Sequence, residues 1–148
     1  MTTTAPATAA PSDEIDFFDA FATDKVKEKA GTPTTLPDCG DKKFLIARAG
    51  NANYNRLLSS LFKRNRTVLE SKGDEANEKS DAILAEVYAK TILLGWEGTI
   101  KFQGVQMPYN EANAKALLSL KDFRAKVEAA ASDMNTFKAV QDRDDLKN

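Results

Sequence analysis

Carboxylates are the residues of this chain best able to do chemistry. Asp13, Glu14 and Asp16 cluster near the start, Asp74, Glu75 and Glu78 near the middle, and Asp142, Asp144 and Asp145 near the end. A carboxylate pair can act as acid and base, or hold a hard cation. The first two clusters also stand where helices are expected to begin. Negative charge is favoured there by the helix dipole, so their plainer reading is structural. The third lacks the glycine and distal glutamate of a calcium loop. The sequence has no histidine and one cysteine, Cys39. A Ser-His-Asp or Cys-His triad is therefore excluded within the chain, as is a zinc site of Cys and His ligands. Cys39 has no internal disulfide partner and, without a histidine base, reads as an incidental turn residue rather than a nucleophile. Gly95, Gly98 and Gly104 have neither the dinucleotide-binding spacing nor the following lysine of a phosphate loop. No catalytic, cofactor or metal-binding residue is assigned. The expectation is a protein that binds other molecules and is not an enzyme.

Charge gives the next candidates. The 148 residues sum to a net charge of −1, yet the stretch from Lys42 to Lys72 holds eight basic residues against the single acid Glu70. That stretch carries +7 and the remainder −8. Arg56, Lys63, Arg64 and Arg66 fall on the polar sides of an expected helix, where they would meet phosphates, an acidic partner or a second copy of the chain. No aromatic residues interleave with them on an exposed face, which argues against nucleic acid as the partner. The segment Ile15 to Phe21 supplies another candidate through Phe17, Phe18 and Phe21. On a helix Phe18 and Phe21 share a face and Phe17 lies about 100° away. The economical expectation is that all three dock on the core. The sharper one is that this arm docks on a partner as an amphipathic helix.

These residues need elements to position them. A length of 148 residues suits one domain with tails, and 42% hydrophobic with 29% charged residues is globular. Residues 1–12, rich in Thr, Ala and Pro, read as a flexible tail. A helical arm is expected over 13–30, begun by Ser12 as cap and ended by Gly31 and Pro33. The domain proper spans 31–141, and 142–148 is a charged, frayed tail. Within the domain, Thr34–Leu36 and Lys43–Arg48 read as a hairpin about Pro37, Asp38, Gly40 and Asp41. Phe44 and Ile46 face one way and Leu45 and Ala47 the other, which suits a strand covered on both faces. Asn51 or Asn53 should cap a helix over 53–70, and a second helix is expected over 75–95 with Gly95 as its C-terminal residue. A second hairpin follows over 99–107 about Gln103-Gly104. Asn110 caps a helix through Leu118. Leu120, Phe123, Val127, Ala130, Met134 and Phe137 make a last helical stripe. The fold expected is mainly α with two short β-hairpins. No signal peptide or membrane span is read, which points to a soluble intracellular protein.

The string Leu93-Leu94-Gly95-Trp96-Glu97-Gly98, then a hairpin, then Pro108-Tyr109-Asn110-Glu111-Ala112-Asn113-Ala114 and the pair Leu117-Leu118, resembles tail assembly chaperones of long-tailed bacteriophages. Ile46 to Asn51 followed by Asn53-Tyr54, and Phe123, Ala129 to Ala131 and Phe137, match the same order. The resemblance spans about residues 31–140 and leaves the Thr/Ala/Pro-rich start outside. It implies a non-enzymatic protein of the host cell cytoplasm that binds the tape measure protein, keeps it soluble and recruits tail tube protein. Such a protein is absent from the finished virion. It offers no catalytic residues to carry over. Trp96 and Tyr109 match its motif together with Gly95, Gly98 and Pro108, and read as packing residues that close the helix–hairpin junction. The stripes over 13–29 and 120–137 are the expected client-binding faces, and self-association through the +7 and −8 regions is a further expectation. The alternatives are a minor head or connector protein of the virion, or a nucleic-acid-binding regulator using 42–72.

Overall fold

The computed structural model describes residues 14–139, so the expected tail 1–12, the Ser12 cap and the charged tail 142–148 lie outside the described residues. The arm is two helices rather than one. The Asp16 carboxylate accepts from the backbone N–H of Phe18 and starts α1, Phe17–Phe21. Asp24 does the same for Val26 and starts α2, Lys25–Ala30. Between them Thr23 pairs in extended form with Lys138, and that long-range bridge interrupts the helix that periodicity alone predicts.

Strands β1 (Thr32–Thr35) and β2 (Lys43–Ile46) pair antiparallel in the expected hairpin, with Thr34 opposite Phe44. Asn51 caps α3, Ala52–Arg64, by accepting from the Tyr54 N–H at 2.9 Å. The expected helix over 53–70 breaks at Asn65, whose side-chain amide donates to the Leu61 carbonyl at 2.8 Å, and resumes as α4, Arg66–Glu70. Asp74 and Glu75 open α5, Asp74–Thr91, which bears out the structural reading of that carboxylate cluster.

The largest departure from expectation follows α5. The helix ends at Thr91, and Leu93–Trp96 forms β3 against the second edge of β2. Gly95 is thus a strand residue, opposite Leu45, and not a helix cap. A Cβ at this position would meet Leu45 Cβ at 3.7 Å, an ordinary van der Waals contact, so Gly95 serves here as a plain strand residue and not in a left-handed turn. Tertiary pairing overrides the helical pattern because the open edge of β2 gives Leu93–Trp96 backbone partners while Leu93 and Trp96 bury in the core. Strands β4 (Thr99–Phe102) and β5 (Val105–Pro108) form the second hairpin. Gln103 and Gly104 take φ of 52° and 80°, the two-residue turn whose twist suits flanking strands. Helix α6, Glu111–Leu118, follows its Asn110 cap, then α7, Lys121–Ser132, and a 3₁₀ turn over Met134–Phe137.

The described residues are therefore mainly α, with small antiparallel sheets ordered β1-β2-β3 and β4-β5. Helix α5 joins two apolar clusters. Ile83 and Val87 pack with Leu61 and half-buried Leu57, Leu58 and Leu69. Ala85, Tyr88 and Ala89 pack into the larger cluster, where Ile46, Ile92, Leu93, Leu118, Val127 and Phe137 are all fully or almost fully buried. Each such large side chain contributes roughly 1.5–3 kcal/mol by leaving water. Buried Arg124 fastens α7 to α5, donating to Asp81 Oδ1 at 3.0 Å and to the Leu118 carbonyl at 3.2 Å.

From Val127 onward the 120–137 stripe is a core face, while Leu120 at its start is exposed. Val127, Ala131 and Phe137 have no exposure, so the expectation that the full stripe binds a client is overturned. Phe137→Ala should cost about 3–5 kcal/mol, the range for emptying a full aromatic site. Chemical denaturation checks this, and a cost under about 1 kcal/mol would show that the site collapses.

Candidate protein-docking surface

The arm is fixed at its root and free at its tip. The Asp24 N–H donates to the Phe137 carbonyl at 2.8 Å, and the Ala139 N–H donates to Ala22 at 3.4 Å. The Arg48 N–H donates to the Glu28 carbonyl at 2.8 Å, and the Arg48 guanidinium pairs with the Glu28 carboxylate at 3.0 Å while lying 5.9 Å over the Phe137 ring. The Thr23 hydroxyl donates to the same carboxylate. That hydroxyl is the chief influence holding the Glu28 carboxyl below its ordinary value. Arg48 assists, and partial burial opposes them.

Ahead of this anchor, Ile15, Phe17, Phe18 and Phe21 are 66%, 71%, 76% and 59% exposed. The expectation that the phenylalanines dock on the core is overturned. Phe17 and Phe21 stack on each other instead, with ring centres 5.6 Å apart. The physical reason is the break at Thr23. It spends the backbone of residues 22–24 on the C-terminal segment and leaves α1 no face turned to the core. Three large apolar side chains in five residues, interleaved with Asp16 and Asp19, make the described chain's most concentrated exposed apolar patch.

The basic stretch divides. Lys42 donates to the carbonyls of Glu97 at 2.6 Å and Thr99 at 3.3 Å, and Arg48 holds the arm, so both act within the fold. Arg56, Lys63, Arg64 and Arg66 are exposed along α3 and the start of α4. Arg56 and Arg64 make only short-range contacts, to Asn53 at 3.2 Å and Ser60 at 3.1 Å. These cations form a separate face, and no described contact joins them to the phenylalanines.

The Gly95–Tyr109 motif is internal architecture. Trp96 meets Tyr109 edge-on with centres 5.1 Å apart. The Trp96 indole donates to the Met107 carbonyl at 3.3 Å, and the Tyr109 hydroxyl to the Leu93 carbonyl at 3.4 Å, which stitches the hairpin to β3. Gly98 has φ +70° in the β3–β4 turn, where Lys42 Nζ would lie 3.4 Å from an added Cβ. Pro108 closes β5, and its carbonyl accepts from Asn113 at 2.8 Å.

Among the described residues no three or more His, Cys, Asp or Glu side chains group as metal ligands. Burial, then the Asp38 charge, pushes the Cys39 thiol up and away from thiolate. Burial likewise raises the Tyr88 and Tyr109 phenols. No helix among the described residues is long and apolar enough to cross a membrane.

The sign of the Glu28 shift gives a test. A depressed carboxylate stabilises fully above its unfolded value of 4.5, and that contribution is lost as pH falls through the folded value. Hydrogen exchange of the Asp24 and Arg48 amides, read as protection relative to the intrinsic rate at each pH, should be slow at neutral pH and should lose that protection below pH 4.5. Glu28→Gln should quicken it at neutral pH. Unchanged protection in both would show that this carboxylate does not hold the arm.

Residues 49–148 match the family model of the YdaY prophage protein. The matched span begins after β2 and includes α3 through the 3₁₀ turn, leaving out the arm. No curated protein and no solved structure matches the chain.

Proposed function

The chain belongs to the YdaY prophage protein family, and on that premise of phage origin we propose that it is a tail assembly chaperone. In this reading it binds the tape measure protein, keeps that long apolar client soluble in the host cytoplasm and promotes assembly of tail tube protein around it. The observation that carries the reading is the exposed Phe17, Phe18 and Phe21 cluster on an arm anchored to a well-packed body. A chaperone for apolar helices needs apolar surface held open to water and a body that stays folded while offering it. The order of short motifs from Ile46 to Phe137 supports the same reading through its likeness to phage tail chaperones.

The protein acts here by binding and carries out no catalysis. Arg56, Lys63, Arg64 and Arg66 are then a solvated face that favours acidic partners and gives solubility. It leaves the particle before completion, which separates it from a minor head or connector protein. Mass spectrometry of purified virions should find it missing. Co-expression with the tape measure protein of the same phage should allow mutual capture. Replacing Phe17, Phe18 and Phe21 together by alanine should lower that capture at least about tenfold, the weight of a modest binding hot spot. Undiminished capture would remove the arm from the client site, and detection in virions at structural copy number would overturn the chaperone reading.

A further inference from the structure

An open cleft of about 450 Å³ lies between the β4–β5 hairpin and the α6–α7 junction. Phe44 and Leu117 line its buried part, and half-buried Phe123 and exposed Leu120 line its mouth, with Lys42 and Lys101 beside them. Lys42 gives its hydrogen bonds to carbonyl oxygens, so no carboxylate offsets its charge there. The one acid of the lining, Asp38, pairs with Lys126 at 3.2 Å. The cleft is therefore an apolar slot with a cationic edge. The arm is its complement, with phenylalanines at helical spacing and Asp16 and Asp19 beside them. Helix-in-groove recognition uses this spacing of anchors, and opposite charges at the rim set orientation.

We infer that the cleft receives the Ile15–Phe21 arm of a second copy of this chain, and that the exchange is reciprocal. Each chain offers one arm and one cleft, so mutual docking closes a two-fold pair. An aromatic side chain buries roughly 150–250 Å², and two exchanged arms with their receiving surfaces cover on the order of 1,500 Å², the size of a stable interface. The inference goes beyond the client reading and stands without it: the second copy covers the phenylalanines when no client is present.

The test uses the purified chain alone, so its outcome is distinct from client capture. Cys39 lines the cleft and is the sole cysteine, which makes it a natural cross-linking partner. Ala20→Cys keeps all three phenylalanines. On mild oxidation it should give a dimer joined through Cys39, lost when Cys39→Ser is added. An internal disulfide within one chain, or a dimer unaffected by Cys39→Ser, would overturn the inference. Sedimentation equilibrium supplies a second readout. The native chain should be dimeric. Its dissociation constant should weaken at least roughly thirtyfold both in the triple phenylalanine-to-alanine variant and in Leu120→Lys. These positions are exposed, and circular dichroism checks that both variants fold. Mixing the two variants restores one intact arm and one intact cleft, so a heterodimer should return. A monomeric native chain, or variants that associate as well as it does, would also overturn the inference.

Discussion

The pairing of β2 with β3 is the constraint on which the rest of the molecule depends. It brings Leu45 opposite Gly95 and so joins the first half of the chain to the end of its longest helix. Once β3 is a strand, α5 must stop at Thr91, Trp96 must turn under the second hairpin, and Ile92 and Leu93 must enter the core. Helix α6 then lies against α5, and α7 is held by Arg124 reaching Asp81. The same sheet fixes the other side. With β1 on its free edge, β2 leads into Arg48, whose backbone and guanidinium both engage Glu28.

Much of this order was legible in the sequence because it rests on local signals. Asn51 and Asn110 cap their helices through their own side chains, and Gln103-Gly104 turns by backbone preference. Trp96 and Tyr109 were readable as a junction because large aromatics beside glycine and proline close corners. What could not be read was decided by partners distant in sequence. Leu93–Trp96 has helical spacing with the residues before it, and only β2 makes it a strand. The stripe ending at Phe137 looks amphipathic whether its apolar side faces the core or a client, and only packing tells which. The phenylalanines of the arm were ambiguous for the converse reason. Their exposure follows from the Thr23–Lys138 bridge, which no local pattern announces. The division of the basic stretch, with Lys42 and Arg48 bonded to other parts of the fold and Arg56, Lys63, Arg64 and Arg66 turned to solvent, was equally hidden by a simple charge count.

Family membership and architecture meet at a definite boundary. The YdaY match begins at Ala49, so it takes in the helical body and the second hairpin, while the arm and first strands precede it. The body nevertheless supplies what the arm needs. Phe137 gives its carbonyl to Asp24 and its ring to Arg48, and both lie at the arm's root. In the proposed chaperone reading, a rigid base with a short apolar projection is what holding another chain requires. The base keeps the projection from collapsing inward, and Asp16 and Asp19 beside the phenylalanines keep it wetted.

The short bridge between residues 22–24 and 137–139 also governs how the protein can be handled. Because the arm's root and residues 137–139 are hydrogen-bonded neighbours, a label placed on either segment stands close to the phenylalanines. A label meant to leave that surface undisturbed belongs at the opposite kind of site, an exposed turn such as Lys72-Gly73 between α4 and α5.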